Sequence, residues 1–287
     1  MSNDTTKHHQ SAAENEKRQG FRVAAIQMAS GPSVSANLEE AARLIEEAVS
    51  QKAQLAVLPE YFCIMGMKDT DKLAVREQPG EGQIQKFLSN TAKRLGIWLV
   101  GGSVPLASSE PDKVYNSCLV YADNGEQVAR YDKIHLFGLQ LGHEHYAEEK
   151  TIKAGNQVVA VDSPFGRIGL SICYDLRFPE LFRMMNNVDI ILAPAAFTAI
   201  TGKAHWEVLV RARAVENMAY VIAPGQGGYH VNGRETNGDS MIVDPWGVVM
   251  ERLPRGSGAV VATIDPEYQA SLRTNLPALD HRILQYC

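Results

Sequence analysis

The sequence predicts an α/β protein in which two mixed β-sheets pack together, with helices on the outside. The first hundred residues alternate between strand-like and helix-like segments, the order expected for helices packed on a largely parallel sheet. The middle of the chain consists of β-hairpins, and strands and helices then alternate again. Strands outnumber helices, and two sheets accommodate that count. No repeat or linker divides the 287 residues, so residues 21–287 are expected to form a single domain.

The N-terminal third supplies the first strands and helices. Strands rich in β-branched and apolar residues are predicted over residues 21–28, 54–60 and 97–104. A helix over 37–49 has an apolar stripe at helical spacing, and Asn37 with Glu40 resembles a capping box that would start it. A second helix is predicted over 83–95. These elements give the β-α-β-α-β order of the first hundred residues.

The remaining elements begin with hairpins. One spans 115–133 around the turn DNGE, because Asn-Gly supplies the positive φ angles of a tight turn. A second spans 157–174, and a third spans 239–253 around Pro-Trp-Gly. The other predicted elements are helices over 179–185 and 204–217 and strands over 188–194, 219–226 and 258–265. This arrangement accounts for the second sheet.

Composition excludes several classes of function. The net charge is −5 and no run of Lys or Arg occurs, which argues against binding of nucleic acid. The four cysteines form no CxxC pair, a pattern typical of a reducing compartment. Residues 1–20 are polar and predict a disordered tail, and no segment has the roughly 20 apolar residues of a membrane helix. We therefore expect a cytoplasmic protein with neither nucleic-acid nor membrane partners.

Glu60, Lys133 and Cys173 each follow a strand-like segment, where side chains can project from a sheet edge into a crevice. Singly, each is ordinary: a loop carboxylate, a surface lysine and a small core thiol. Together they supply amide hydrolysis with a nucleophile, a proton carrier and a cation for the oxyanion. The turn at Cys173 is expected to expose the sulfur near the N-terminus of the following helix, which would favour the thiolate.

The strings LPEYF, YDKIHLF and GLSICYDLRFPEL resemble, in order, the three signature blocks of the nitrilase superfamily of carbon–nitrogen hydrolases. The resemblance runs from about residue 21 to the C-terminal region. It implies that Glu60 is the general base, Lys133 the stabilising cation and Cys173 the nucleophile, with the Tyr174 backbone N–H at the oxyanion site. It also implies a four-layer α-β-β-α sandwich that forms a homodimer or higher homo-oligomer.

The same resemblance implies a second glutamate that positions the lysine. Glu148 is the preferred candidate because it stands seven residues before Gly155, although the adjacent Glu149 leaves the register open. The helix containing RARAVENMAY would face the partner subunit, or would be an ordinary amphipathic core helix. The C-terminal segment LPALDHRILQYC would extend across a partner or pack locally.

Within the superfamily, the segments AAFTAITGKAHWEVLVRARAVEN and GQGGYHVNGRETNGDSMIVDPWG resemble Nit-type amidases of the deaminated glutathione amidase branch. The ω-amidase branch, which hydrolyses α-ketoglutaramate, lacks the glycine-rich pattern and the arginine found here at Arg234. Both branches imply an amide of a small anionic 2-oxo acid as the substrate. An aliphatic amidase, an acyltransferase and a binding protein without catalysis are the alternatives.

Four residues are candidates for binding the substrate: Tyr174, Arg177, Phe197 and Thr198. Arg177 follows Cys173 by about one helical turn, so its guanidinium can bind a substrate carboxylate bidentately. The alternative for Arg177 is an ion pair with Asp175 or Glu180. Asp239 departs from the branch, whose members commonly have histidine there, so its effect on specificity is open.

A metal or nucleotide cofactor is not expected. HEHYAE at 143–148 offers possible zinc ligands but lacks the helix-borne spacing of a zinc hydrolase. The glycines at 225, 227 and 228 do not follow the dinucleotide pattern of strand, GxGxxG and helix. The sequence therefore predicts a cofactor-free amidase that acts on a small molecule.

Overall fold

The structure, a computed structural model, describes residues 20–141 and 144–284. The predicted N-terminal tail lies outside the described residues except for Gly20. The α-helices of the described part are α1 (Val34–Ser50), α2 (Asp71–Ala74), α3 (Gln83–Leu95), α4 (Pro179–Met184), α5 (Ala199–Asn217) and α6 (Pro266–Asn275). The strands of the N-terminal half are β1 (Phe21–Gln27), β2 (Leu55–Val57), β3 (Trp98–Val100), β4 (Val104–Ala107), β5 (Val114–Tyr121), β6 (Gln127–Asp132), β7 (Gly138–Leu141) and β8 (Glu144–Ala147). Those of the C-terminal half are β9 (Ala160–Ser163), β10 (Gly166–Leu170), β11 (Ile190–Leu192), β12 (Tyr220–Ala223), β13 (Gly227–Tyr229), β14 (Glu235–Asn237), β15 (Ser240–Val243), β16 (Val249–Leu253) and β17 (Gly258–Ile264).

Two mixed sheets form the centre of the fold, as the sequence predicts. The first sheet has the order β17-β1-β2-β3-β5-β4, with β6 paired to β5. The second has the order β16-β15-β12-β11-β10-β9. In each sheet the central strands are parallel and the flanking strands antiparallel. Two small hairpins, β7–β8 and β13–β14, lie outside both sheets.

The side chains of β1 show how the layers stack. Val23 and Ala25 belong to the core between the two sheets, whereas Ala24 and Ile26 pack under α1 and α3. This alternation follows from the period of two of a strand, which sends successive side chains to opposite faces. On the far side α4 and α5 cover the second sheet. The order of layers is therefore helix, sheet, sheet, helix, as expected.

Helix α1 begins earlier than its predicted start. Ser33 is the N-cap, and its hydroxyl accepts a hydrogen bond from the Ala36 backbone N–H. The predicted capping box at Asn37 is wrong, because Asn37 lies inside the helix and is buried. Its side-chain amide instead binds the backbone of Gly31 and the carbonyl of Cys63. Asn37, which was predicted to begin the helix, thus connects the helix to the loops beside it.

The predicted strand over 97–104 is divided into β3 and β4 by two glycines. Gly102 has a φ of +41°, and a Cβ there would lie 2.0 Å from the Pro59 carbonyl oxygen. Only glycine permits this approach of the two chain segments. The close contact presses the chain after β3 against the segment that leads into Glu60. Residues 97–104 are apolar or small almost throughout, so their sequence pattern does not indicate the break between β3 and β4.

No helix within the described residues is both long and apolar enough to cross a membrane.

Candidate active site

Glu60 lies three residues beyond the end of β2 and is 1% exposed. The loop that holds it is fixed by two hydrogen bonds from other elements. The backbone N–H of Tyr61 donates to the Ser103 hydroxyl at 2.8 Å, and the Gln226 side-chain amide donates to the Glu60 carbonyl at 3.0 Å. Tyr61 itself has a φ of +57°, so the chain turns sharply after Glu60. The carboxylate is thereby presented in one defined position.

Lys133 follows β6 and is fully buried, so it is not a surface lysine. Its backbone N–H donates to the Asn116 carbonyl on β5. Its ammonium Nζ contacts Glu60 Oε1 at 2.8 Å and the two oxygens of Glu148 at 3.0 and 2.8 Å. The amide of Asn116 also donates to Glu60 Oε1 at 2.9 Å. One ammonium thus links two carboxylates from distant parts of the chain.

Glu148 begins a short 3-10 helix, Glu148–Lys150, beyond β8. Besides Lys133, it accepts hydrogen bonds from the Tyr61 hydroxyl at 2.8 Å and the Phe137 backbone N–H at 2.7 Å. Glu149 is exposed to solvent. Glu148, rather than Glu149, is therefore the glutamate in contact with Lys133.

The charges of this cluster stabilise one another. Burial alone would lower the pKa of Lys133, but the charges of Glu148 and Glu60 raise it above its ordinary value. Burial alone would raise the pKa of Glu148, but the charge and hydrogen bonds of Lys133 hold it below its ordinary value. Lys133 and Glu148 are therefore ionised at neutral pH. A fixed ammonium is available to stabilise a negative oxygen.

Cys173 begins a 3-10 helix, Cys173–Arg177, three residues after β10 ends. Its φ of +52° is the left-handed conformation, which L-residues with a side chain rarely adopt. Asp175 stabilises this turn: its carboxylate accepts from the Ile172 backbone N–H, the Tyr131 hydroxyl and the His135 backbone N–H. A strained turn is thus maintained by a buried carboxylate with several donors.

The expectation that the turn exposes the sulfur and favours the thiolate is wrong. Cys173 is buried, at 7% exposure. Burial raises the pKa of its thiol well above the ordinary value, and the charge of Glu60 raises it further, although Lys133 acts in the opposite direction. The short helix dipole does not offset desolvation of a sulfur among carboxylates. The resting thiol therefore keeps its proton until a base removes it.

A narrow space, here termed the inner cleft, lies at Cys173. It has a volume of about 10 Å³. It is lined by Glu60, Phe137, Glu148, Cys173, Tyr174, Arg177, Ala196, Phe197, Thr198, Thr201 and Arg234. All four predicted substrate-binding residues are among these, as are Glu60, Glu148 and Cys173. Lys133 reaches the cleft through its contacts with the two glutamates.

Arg177 forms no ion pair with Asp175 or Glu180, although both belong to the described residues. Its guanidinium contacts His205 Nδ1 at 3.1 Å and lies over the rings of Tyr174 and Phe197. The pairing with a neighbouring carboxylate is therefore absent from this part of the chain. The Thr198 hydroxyl, by contrast, is used as the N-cap of α5, where it accepts from the Thr201 backbone N–H.

A larger space, the outer cavity, opens beyond the inner cleft and has a volume of about 510 Å³. Phe137, Glu148 and Arg234 line both spaces, so they mark the junction between them. The cavity wall comes mainly from the loop after Glu60, the β7–β8 hairpin and the β13–β14 hairpin. A ligand at Cys173 can therefore continue outward past Arg234.

Several residues of the site were not identified from the sequence. Tyr61 and Asn116 bind the two carboxylates directly, and Asp175 fixes the turn at Cys173. Tyr61 and Asp175 stand inside the signature strings, which is the one signal that pointed to them. Asn116 lies within an apolar strand, and nothing in its local pattern marks it. Arg234 was noted only as a branch feature.

Asp239 does not line the inner cleft. Its carboxylate pairs with Arg252, and both residues line a separate surface depression near the start of α5. His143 of the HEHYAE segment lies outside the described residues. Among the residues that are described, no group of three His, Cys, Asp or Glu side chains is arranged to hold a metal ion.

Comparison with known proteins identifies the same family that the sequence resembles. Residues 22–274 match the family model of the carbon-nitrogen hydrolases. The chain is 42% identical over 269 residues to a deaminated glutathione amidase of Synechocystis sp., a similarity that covers 92% of this chain and 98% of that protein. It is 38% identical to the human deaminated glutathione amidase, over 91% of this chain and 81% of that protein.

Solved structures agree in fold. Nit3 of Saccharomyces cerevisiae, described as a member of branch 10 of the nitrilase superfamily, superposes with a TM-score of 0.83 at 32% identity, covering 93% of this chain and 97% of that one. The C. elegans NitFhit protein gives a TM-score of 0.84 at 36% identity over 92% of this chain, which spans 65% of that longer chain. The predicted resemblance and the α-β-β-α architecture are thereby confirmed.

Proposed function

Since the chain belongs to the carbon–nitrogen hydrolase family and is a hydrolase of linear amide bonds, we propose that Cys173, Glu60, Lys133 and Glu148 perform its chemistry. The observation that carries this proposal is the direct contact of Lys133 with both glutamates at the inner cleft that holds Cys173. These are the three kinds of group that thiol-dependent amide hydrolysis requires.

In the proposed reaction, Glu60 removes the thiol proton as the Cys173 sulfur attacks the amide carbon. The negative oxygen that forms is stabilised by the Lys133 ammonium and the Tyr174 backbone N–H. Glu60 then gives its proton to the leaving nitrogen, the C–N bond breaks, and an acyl thioester remains. A water molecule, deprotonated by Glu60, attacks the thioester. The acid leaves as the C–S bond breaks, and the proton returns to the sulfur.

The raised pKa of Cys173 supports this role of Glu60 as a base. A thiol that keeps its proton at neutral pH needs an acceptor within the cleft when it attacks. Glu148 has a different part, because it binds Lys133 through both oxygens and is further fixed by Tyr61 and Phe137. We assign it to positioning Lys133.

For the substrate we propose deaminated glutathione, the compound in the names of the relatives. Glutathione is a γ-glutamyl tripeptide, and its deaminated form has a 2-oxo acid on the acyl side of the γ-amide. Arg177 lines the inner cleft and has no carboxylate partner in the described chain, so it can bind the carboxylate of that 2-oxo acid. Phe197 and Tyr174, against which it stacks, would fix its plane.

A comparison of kcat/KM on three amides tests this proposal. We expect the highest value for deaminated glutathione, a lower one for α-ketoglutaramate, which ω-amidases hydrolyse, and the lowest for a neutral aliphatic amide. The Arg177→Met variant should lose about 10- to 100-fold on the two anionic substrates. A preference for the neutral amide would contradict the role of Arg177, and a preference for α-ketoglutaramate would favour ω-amidase activity.

Acyl transfer is the second candidate reaction, since a thioester can pass its acyl group to acceptors other than water. Hydroxylamine distinguishes the two routes. A hydrolase should release mainly the free acid when hydroxylamine is present at low millimolar concentration. Predominant formation of the hydroxamate would instead favour an acyltransferase.

We further propose that residues 21–287 act as one domain in the cytoplasm and form a homodimer through α5. Val208 and Val215 stand two turns apart on α5 and are 61% and 52% exposed, and Trp246 nearby is 56% exposed. Apolar side chains grouped on one helix face are typical of an interface. Wild-type protein should sediment as a dimer and Val215→Glu as a monomer, whereas monomeric wild type would contradict the proposal.

A further inference from the structure

Two partly buried cations of the outer cavity form no ion pair with a carboxylate within the described residues, and a third cation, Lys68, is exposed to solvent. Arg234 and Lys72 both line this cavity, and neither forms an ion pair in the described part of the chain. Elsewhere in the site, Lys133 is paired with two carboxylates and Arg177 lies beside His205. Placing cations in a cavity without counter-charges is unfavourable unless a ligand supplies them. These two side chains therefore point to an anionic ligand.

Arg234 is the more informative of the two. One Nη donates to the Ala196 carbonyl at 2.9 Å, the other lies 3.9 Å from the sulfur of Met65, and the guanidinium lies over the Tyr146 ring. Its Nε is buried and has no hydrogen-bond partner. A guanidinium presents five donors, and here a single carbonyl is the one strong acceptor among the described residues. Most of its capacity for hydrogen bonding remains available.

The backbone around Arg234 fixes where this guanidinium stands. It directly precedes β14, and its backbone N–H donates to the Asn232 side chain while its carbonyl accepts from His230. The Asn232 amide in turn donates to the Gly66 carbonyl across the cavity wall. The hairpin is thus tied to the loop that follows Glu60. Arg234 is preorganised at the junction of the inner cleft and the outer cavity.

Lys72 contributes a second positive charge to the outer cavity. Its ammonium contacts the Thr151 hydroxyl at 3.2 Å and lies over the Tyr61 ring. Burial lowers its pKa against the opposing charges of Asp69 and Glu148, and the charge of Arg234 lowers it further. An anion bound in the cavity near both side chains would offset the repulsion between the two positive charges. Of the other charged groups around the cavity, Lys68 and Asp69 belong to the loop before α2, and Glu235 pairs with Arg255.

The sizes of the two spaces indicate which part of a substrate would reach Arg234. The inner cleft, at about 10 Å³, is far smaller than the outer cavity, at about 510 Å³. A substrate with a bulky leaving amine must extend into the outer cavity, and Arg234 lines that path. The acyl side is already served by Arg177.

We propose that Arg234, assisted by Lys72, binds a carboxylate on the leaving-amine side of the substrate. This inference rests on deaminated glutathione as the proposed substrate and assigns a binding site to the carboxylate at its glycine end. α-Ketoglutaramate has no such carboxylate, because its leaving group is ammonia. Two cations on either side of the scissile bond would fix a substrate with a carboxylate at each end.

The test compares deaminated glutathione with its analogue in which the glycine carboxylate is a carboxamide. Wild-type enzyme should favour the carboxylate by roughly 10- to 100-fold in kcat/KM, since charge-assisted bidentate binding is lost with the amide. Arg234→Gln should reduce this ratio to near one by lowering kcat/KM for the carboxylate form. Lys72→Met should reduce the ratio by a smaller factor. Arg94→Gln, a change at an exposed arginine on α3, should keep the wild-type ratio.

A ratio of kcat/KM values near one for the wild-type enzyme would overturn the inference. This measurement needs no variant, so it decides the question even if Arg234→Gln fails to fold. The inference would also be overturned if folded Arg234→Gln had the same ratio as the wild-type enzyme. Failure of the proposed function would give a different result. The wild-type enzyme would then hydrolyse none of the three compounds: deaminated glutathione, its carboxamide analogue and α-ketoglutaramate. Turnover of α-ketoglutaramate with no discrimination between the two tripeptide forms would refute this inference alone.

Discussion

The inner cleft and the outer cavity differ in how their charges are satisfied. In the inner cleft, Lys133 is fully buried, and both of its carboxylate partners lie within 3.0 Å. In the outer cavity, Arg234 and Lys72 contact a carbonyl, a hydroxyl and aromatic rings. Groups that must hold a fixed geometry during the reaction are bound to one another. Groups that would bind a variable part of the ligand keep donors available.

This difference follows from what each region must do. An electrostatic site for a developing oxyanion gains most when its donors are fixed beforehand and water is excluded. A binding site for a remote carboxylate needs space and an unpaired cation, at some cost to the free energy of folding.

The largest effect is expected for Cys173→Ala, which removes the proposed nucleophile from the inner cleft. The rate of product release should fall by at least about 10³-fold, because no covalent acyl intermediate can form. The circular dichroism spectrum and thermal midpoint should stay close to those of the wild type. Cys118→Ala, at another buried cysteine, is the matched control and should retain turnover. Activity in the Cys173 variant would remove the nucleophile assignment.

Glu60→Gln keeps the shape of the side chain and removes its ability to accept a proton. We expect kcat to fall by about 10²- to 10⁴-fold, the usual contribution of a positioned acid or base. Burst experiments should show that formation of the acyl-enzyme has slowed. Glu149→Gln, at the exposed neighbour of Glu148, should behave as wild type. Equal kinetics for the Glu60 variant and the wild type would exclude Glu60 as the base.

Lys133→Met and Lys72→Met compare the two regions directly through the free energy of unfolding. Loss of Lys133 leaves two buried carboxylates without a counter-charge, which should destabilise the protein by about 3–5 kcal/mol. Loss of Lys72 removes a cation whose pKa is lowered by burial, so the free energy of unfolding should change much less. Urea unfolding at pH 7 measures both values. Similar decreases in the free energy of unfolding for the two variants would contradict the proposed difference between the inner cleft and the outer cavity.

The smallest effect is a loss of stability in acid. Because Lys133 holds the pKa of Glu148 below its ordinary value near 4.5, this carboxylate stabilises the fold above that pH. The contribution should be lost as pH falls from there through the lower pKa of the folded state. Lys133, with its raised pKa, adds stability that is lost only above about pH 10.5. Urea titrations between pH 7 and 3 should therefore show a steeper decline for wild type than for Glu148→Gln.

Several features of the site could be predicted from residue types and local strings. Glu60, Lys133 and Cys173 were identified because each follows an apolar strand and stands in a recognisable block. Glu148 was preferred from its distance to Gly155, and its contact with Lys133 agrees with that choice. The hydrogen bond of Asn116 to Glu60 and the absence of a carboxylate partner for Arg234 in the described residues could not be predicted. Both depend on hydrogen-bond partners that lie far away in sequence.

The residue pattern was sufficient to predict most of the strands and helices and two sheets with helices outside, because the periods of buried side chains are local properties of the chain. The four-layer sandwich was implied by the resemblance to a known family. The chemistry of the sulfur at Cys173, in contrast, depends on the tertiary structure. Its raised pKa comes from burial and from the charge of Glu60, 113 positions away in the numbering of the chain. Solvation and charge–charge distances exist only once the two sheets have packed, and they determine which groups hold protons and which remain open to a ligand.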